Sequence, residues 1–181
     1  MSDPIRVVAY DERWPTLFTE QASAMRERLG AVALRIDHIG STAVPGLAAK
    51  PIIDVQISVA AFEPLDAFRV PLEALGYVFR PDNRERTKRY FREPPGSRRT
   101  HVHVRRVGSF SEQLALLLRD FMRAQAEWAQ RYAALKLELA ERHAGNRARY
   151  TDEKRPFTWE ALAAADEWAQ RTGWSPGPSD A

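Results

Sequence analysis

The run Pro51-Ile52-Ile53-Asp54-Val55-Gln56-Ile57-Ser58-Val59 is nearly continuous in β-branched residues, and it constrains the fold more than any other stretch. A run of this kind is a strand, and apolar residues at successive positions predict a central strand covered on both faces. Asp54 interrupts it. A carboxylate inside an apolar strand is costly unless it is paired, hydrogen-bonded or bound to a metal. Just upstream, Gly40, Pro45 and Gly46 fall close enough together to exclude regular structure between Gly40 and Lys50, so a loop delivers the chain to this strand.

The rest of the chain supplies the layers. Val7-Val8-Ala9-Tyr10 reads as an extended lead-in. Asp11 and Pro15 mark a helix start, and Trp14, Leu17, Phe18, Ala22, Met25 and Leu29 keep helical spacing to about Gly30. Ala31 to Asp37 is predicted as a strand, Pro64 to Leu75 as a helix stopped by Gly76, and Tyr77 to Arg80 as a short strand. Arg86 to Glu93 and Thr100 to Val107 read as two strands joined at Pro94-Pro95-Gly96-Ser97. From Ser111 the chain is helical, with a bend expected near Ala124, and the stripe from Leu114 to Leu139 is core. A last helix runs from Arg149 to about Gln170, with Pro156 starting or kinking it, and the tail from Trp174 to Ala181 should fray. Strands first and helices after predict an α+β fold with a helical C-terminal layer: one domain over 1–173 and a flexible tail over 174–181.

The chemistry concentrates around the loop. A glycine at position 40 lets the backbone approach a ligand, and the Ser41 and Thr42 hydroxyls with adjacent N–H groups can surround phosphate oxygens. Lys50 adds a full positive charge. With Asp54 downstream, the set suits metal-assisted phosphoryl or nucleotidyl transfer. The same residues also suit a plain Gly/Ser turn with Asp54 satisfied by backbone. His38 closes one predicted strand, while His101 and His103 share one face of another. With Asp54 they form candidate ligands for Zn²⁺, Ni²⁺ or Mn²⁺; phosphate contact, general-base work and a structural role are the competing uses. On the hairpin, Arg86, Lys88 and Tyr90 alternate with Thr87, Arg89 and Phe91. One row should face the cleft, and Arg89 is its candidate ligand contact.

The motif His38-Ile39-Gly40-Ser41-Thr42-Ala43-Val44-Pro45-Gly46-Leu47-Ala48-Ala49-Lys50-Pro51-Ile52-Ile53-Asp54 resembles the signature of the GrpB family, a bacterial group within the nucleotidyltransferase superfamily. Tyr10 with Trp14-Pro15, His101-Val102-His103-Val104, Leu118-Arg119-Asp120-Phe121, Tyr132 with Leu135-Lys136, and Tyr150 with Lys154 extend the likeness over most of the chain. The resemblance implies a nucleotidyltransferase-like mixed β-sheet flanked by helices, with the Gly-Ser corner and Asp54 facing a cleft. It implies a divalent metal (Mg or Mn, with Zn or Ni open to the histidines) and an NTP as ligand. It also lifts Lys136, Tyr150 and Lys154, otherwise surface residues, to candidates that close the cleft from above. Superfamily enzymes usually carry a second metal-binding carboxylate two positions after the first. Here that position is Gln56, a poor Mg²⁺ ligand, which leaves it a candidate ligand contact and puts two-metal transfer in question.

Composition narrows the partners. Lys and Arg number 27 against 24 for Asp and Glu, a net charge of +3, which does not ask for nucleic acid. A local cluster (Arg84, Arg86, Lys88, Arg89, Arg92, Arg98, Arg99, Arg105 and Arg106) reads equally as a solvated edge and as a polyanion contact. Cysteine is absent, excluding disulfide and thiolate chemistry. No apolar stretch is long enough for a bilayer, and the N-terminus lacks a signal-peptide layout, so a cytoplasmic monomer or homodimer is expected. Trp128, Trp159, Trp168 and Trp174 suit packing or a dimer contact. The expected function is binding of a nucleotide or other phosphorylated small molecule, with nucleotidyl transfer to a small acceptor as the enzymatic form. A non-catalytic nucleotide or CoA-type module, or a His/Asp transition-metal site with other chemistry, are the alternatives.

Overall fold

A computed structural model describes residues 4–181; the first three residues of the expected 1–173 domain lie outside it. Its elements are α1 (Trp14–Leu29), β1 (Arg35–Ile39), β2 (Ile53–Val59), α2 (Asp66–Ala74), β3 (Val78–Phe79), β4 (Arg89–Arg92), β5 (Thr100–Arg106), α3 (Phe110–Ala124), α4 (Ala126–Arg142) and α5 (Arg147–Thr172). The strands form one mixed sheet in the order β1-β2-β5-β4-β3. β2 is antiparallel to β1 and parallel to β5, and β4 is antiparallel to both β5 and β3.

The two faces of the sheet differ in chemistry. Ile53, Val55, Ile57 and Val59 of β2, with Val102 and Val104 of β5 and Phe91 of β4, belong to one core cluster with Trp14, Phe18, Ala22, Met25 and Leu29 of α1 and Phe68 and Leu72 of α2. Each large side chain buried there contributes roughly 1.5–3 kcal/mol through the apolar area it removes from water. The opposite parity of β2 carries Asp54, Gln56 and Ser58, two of them fully buried beneath α3. The continuous strand is thus covered on both faces, but only one face is apolar. α3 is anchored on the polar face by Glu112, whose carboxylate accepts from Ser58 Oγ at 2.6 Å and from Gly108 N at 2.9 Å. Ser109 caps that helix by accepting from Glu112 N, a Ser-x-x-Glu start.

Three expectations change. The first strand begins at Arg35 rather than Ala31, because Gly30–Val32 closes a 3₁₀ turn that ends α1 and leaves Leu34 exposed. Of the two roles expected for Pro156, starting the last helix falls away: it lies in the interior of α5, whose start is set by Asn146 accepting from Arg149 N. The tail expected to fray lies along the open edge of β1. Ile36 N donates to Ser179 Oγ (2.8 Å), His38 N to Asp180 Oδ2 (2.8 Å), and Ala181 N to Ile36 O (3.1 Å). An edge strand presents a row of unpaired backbone groups, and here two side chains of the tail satisfy them. The bend near Ala124 is present, where α3 gives way to α4.

Candidate functional site

Strand register assembles the first part of the site. β2 pairs Asp54 with His101 on one side and with Ile39 on the other, so the corner after β1 arrives beside the carboxylate. Asp54 Oδ1 accepts from His101 Nδ1 and from His103 Nε2, each at 3.1 Å. Burial works to raise the Asp54 carboxyl, but the two imidazole hydrogen bonds outweigh it and hold the group ionised, below its ordinary range. Burial keeps His103 neutral, lowering it to about 4 against the pull of Asp54.

These side chains can hold a metal ion. One donor atom from each of Asp54, His101 and His103 lies within 4.8 Å of the others. Ligands of a tetrahedral ion with bonds of about 2.0–2.1 Å sit about 3.3 Å apart, close to the separation between each ring nitrogen and Asp54 Oδ1. Two imidazoles and a carboxylate suit Zn²⁺, Mn²⁺ or Ni²⁺ better than Mg²⁺, which favours oxygen. The outer nitrogens, His101 Nε2 and His103 Nδ1, are buried without a partner.

Gly40 has φ +72°, and a Cβ there would lie 2.7 Å from Asp54 Oδ2. The missing side chain therefore makes room for the carboxylate itself. Gly40→Val is expected to displace Asp54 as well as to strain the backbone, which alone costs on the order of 1–3 kcal/mol. Metal titration should show at least tenfold weaker binding; unchanged affinity would mean the loop is an ordinary turn.

The helical layer supplies the rest. A cavity of about 340 Å³ opens over Gly40, Ser41, Asp54 and His101, walled by Lys50, Arg99, Tyr132, Lys136, Arg147, Tyr150 and Lys154. Among the described lining residues Asp54 is the sole carboxylate against five cationic side chains. The ammonium groups rest on rings: Lys50 and Lys154 lie 4.1 and 4.8 Å from the Tyr150 centroid, and Lys136 lies 4.4 Å from that of Tyr132. Lys136 is 2% exposed, and its Nζ has no hydrogen-bond partner among the described residues. Burial, reinforced by Lys154, lowers its pKa to about 7. Burial with Lys154, Arg147 and Arg99 nearby lowers Lys50 to about 8. The cavity thus concentrates positive charge that its single carboxylate does not balance.

Several sequence candidates are placed elsewhere. His38 is on the α1 face, stacked on Phe18 at 4.7 Å, with Nε2 3.0 Å from Thr42 Oγ1; burial lowers it to about 4. It braces the corner from behind. Thr42 lines the cavity, but its hydroxyl is spent, donating to Ile52 O at 3.1 Å. Gln56 is fully buried away from the cavity lining, its Oε1 accepting from Arg105 at 2.5 Å and its Nε2 donating to Glu112 O at 3.3 Å. Arg89 shares the parity of buried Phe91 and lies over the Phe62 ring at 4.2 Å, on the far side of the sheet from Asp54. Of the basic cluster, Arg99 lines the cavity, while Arg105 is buried against Gln56.

Arg147, Thr151 and Tyr132 also line the cavity, beyond the candidates the sequence singles out. The signal was present: Arg147, Tyr150, Thr151 and Lys154 recur at i, i+3, i+4 and i+7, one stripe of α5, and Tyr132 and Lys136 are i, i+4 on α4. A stripe of cations interleaved with tyrosine on two neighbouring helices marks a wall rather than a solvated face.

Known proteins resemble this chain in sequence and in fold. A family model described as GrpB protein matches residues 4–164. The chain is 34% identical over 177 residues to UPF0157 protein YqkA of Bacillus subtilis, covering 98% of this chain and 50% of that protein. It is 35% identical over 199 residues to a dephospho-CoA kinase of Mycolicibacterium paratuberculosis, covering 96% of this chain and 49% of that one. The chain thus spans about half the length of these two curated relatives. The crystal structure of the conserved protein GrpB from Enterococcus faecalis superposes with a TM-score of 0.82 at 32% identity, covering 90% of this chain and 99% of that chain. A cytoplasmic RNA terminal U-transferase superposes with a TM-score of 0.52 at 14% identity, over 75% of this chain and 41% of that chain. At that identity the likeness is one of fold, and the fold is nucleotidyltransferase-like.

Proposed function

The chain belongs to the GrpB family, and from that premise we propose that its cavity binds a small molecule bearing a polyphosphate, of the nucleoside triphosphate class, beside a divalent ion on Asp54, His101 and His103. The observation that carries this reading is Lys136, an ammonium buried at the cavity wall with no hydrogen-bond partner among the described residues and with Lys154 close enough to repel it. A polyphosphate would give that charge an anionic partner, and would meet Lys50 and Lys154 on the same wall. The bound ion would neutralise charge on the phosphate oxygens. Ser41 faces the same cavity from the glycine corner and is placed to donate to a phosphate.

In the enzymatic form, a nucleotidyl group passes to the hydroxyl or amine of a small acceptor. The bond from the α-phosphorus to its bridging oxygen breaks as the acceptor oxygen or nitrogen bonds to phosphorus and releases its proton to water, and the departing pyrophosphate remains on the lysines. Charge held ready where charge develops is the usual source of such catalysis. Relatives named dephospho-CoA kinase support a nucleotide-type ligand, and a CoA-type nucleotide suits the same cations. Gln56 favours a second reading, binding without transfer, because its contacts with Arg105 and Glu112 leave the strand one carboxylate for metal.

The test is thermal and chemical denaturation with tripolyphosphate, ATP or CoA, each with and without Mg²⁺, Mn²⁺ or Zn²⁺. A ligand at one hundred times its Kd should stabilise by about 2.7 kcal/mol. Absence of any stabilisation by the three polyphosphates would sink the proposal. Pyrophosphate release from ATP on adding an acceptor separates transfer from binding alone.

A further inference from the structure

A second cavity, about 250 Å³, lies on the other side of the glycine corner and shares Ser41, Asp54 and Tyr132 with the cationic one. Its chemistry is opposite. The walls are Val44, Leu47, Leu118 and Met122, part of a small core cluster that joins the loop to the helical layer. Arg119 is the cation on this wall, and it is already spent: it binds Asp120 at 2.7 Å, Asp180 at 3.0 Å and the His38 carbonyl at 3.2 Å. Asp37, fully buried, lies a further 3.7 Å from it. The cavity therefore offers an anion no free positive charge.

We propose that this cavity holds a small, uncharged, largely apolar organic molecule whose single hydroxyl points toward Asp54, as co-substrate of the polyphosphate ligand. Its role as co-substrate rests on the polyphosphate reading of the first cavity; the apolar site itself stands on its own walls. The rival occupant is the base of the same nucleotide. A base would bring several hydrogen-bonding edge atoms against valine, leucine and methionine, and each one left unsatisfied forfeits the hydrogen bond it made to water. An apolar body with one polar end leaves no such atom behind, because its polar end reaches the shared wall where Ser41 and Asp54 stand.

Methionine methyl NMR reads this directly. Met122 lines the cavity, while Met25 is fully buried in the core on the opposite face of the sheet and serves as the control. Titration with benzyl alcohol, and separately with 1-hexanol, should move the Met122 methyl saturably and leave Met25 in place. Tripolyphosphate should bind whether or not the alcohol is present. Ala115→Phe, which fills the cavity from α3, should weaken the alcohol response at least tenfold and leave tripolyphosphate binding unchanged. If that variant does not fold, Leu118→Phe takes its place. No Met122 response to either alcohol overturns the proposal. So does ATP that moves Met122 and displaces the alcohol, since the cavity is then the base's. An alcohol response without any tripolyphosphate binding upholds the apolar site and overturns the polyphosphate reading and the co-substrate role with it.

Discussion

Lys136→Met is expected to stabilise the ligand-free protein while weakening its grip on tripolyphosphate. The Lys136 ammonium is 2% exposed, and its pKa falls from 10.5 to about 7 through burial and the nearby Lys154. A base whose folded pKa is lowered resists a proton that the unfolded chain accepts. Stability is therefore lost as pH falls from about 10.5 toward 7, and the loss stays in place below that. A shift of this size corresponds to about 5 kcal/mol at neutral pH. Methionine keeps the length and apolar body of the side chain and removes the charge. Urea denaturation should show the variant more stable than the parent by several kcal/mol at pH 7, with the difference shrinking by pH 10. Tripolyphosphate affinity should fall roughly 10- to 150-fold, the worth of one charge-assisted hydrogen bond. A variant no more stable than the parent at pH 7 would show that the ammonium already has a partner. The cavity would then lose its strongest claim on an anion.

Asp54→Asn separates the metal from the phosphate. The amide keeps the shape of the carboxylate and can still accept from His101 and His103, so the fold should persist. It cannot supply the charged oxygen that an ion requires. Metal content should fall from near one ion per chain to background, with affinity lower by at least 100-fold. The effect on the anion runs the other way. Asp54 is the carboxylate facing the cationic cavity, so its loss should leave metal-free tripolyphosphate binding equal or tighter. The extra affinity that metal confers should vanish. Elemental analysis and two titrations measure all three quantities. An Asp54→Asn protein that still holds metal in full would remove Asp54, and with it the histidine pair, from the metal site.

The elements that matter most were legible because their signals are local. The β-branched run made β2, the helical stripe made α1, and the proline-glycine turn joined β4 to β5. The corner at Gly40 and the carboxylate at Asp54 stood out because each breaks the pattern around it. Parity also placed His101 and His103 together, since alternate residues of one strand share a face. Parity cannot say which face meets the cleft. That was decided when α1 and α2 covered one side of the sheet, taking His38 and Arg89 with them, and left Asp54 and the two histidines on the other. Gln56 lies on the site's face, yet Arg105 and Glu112 hold it away from the cavity lining. Neither contact can be read from a strand taken alone. The place of the tail was hidden for a similar reason: its composition is that of a frayed end, but β1 leaves backbone groups open that Ser179 and Asp180 can satisfy. Most of the cavity's charge comes from α4 and α5, far along the chain from Asp54. The sequence by itself determined the strand, the corner and the carboxylate, because those depend on neighbours along the chain. Only the tertiary structure decided that five cations share one space with one carboxylate. Burial and mutual repulsion, which lower the pKa values of Lys50 and Lys136, exist only once the helices close over the sheet.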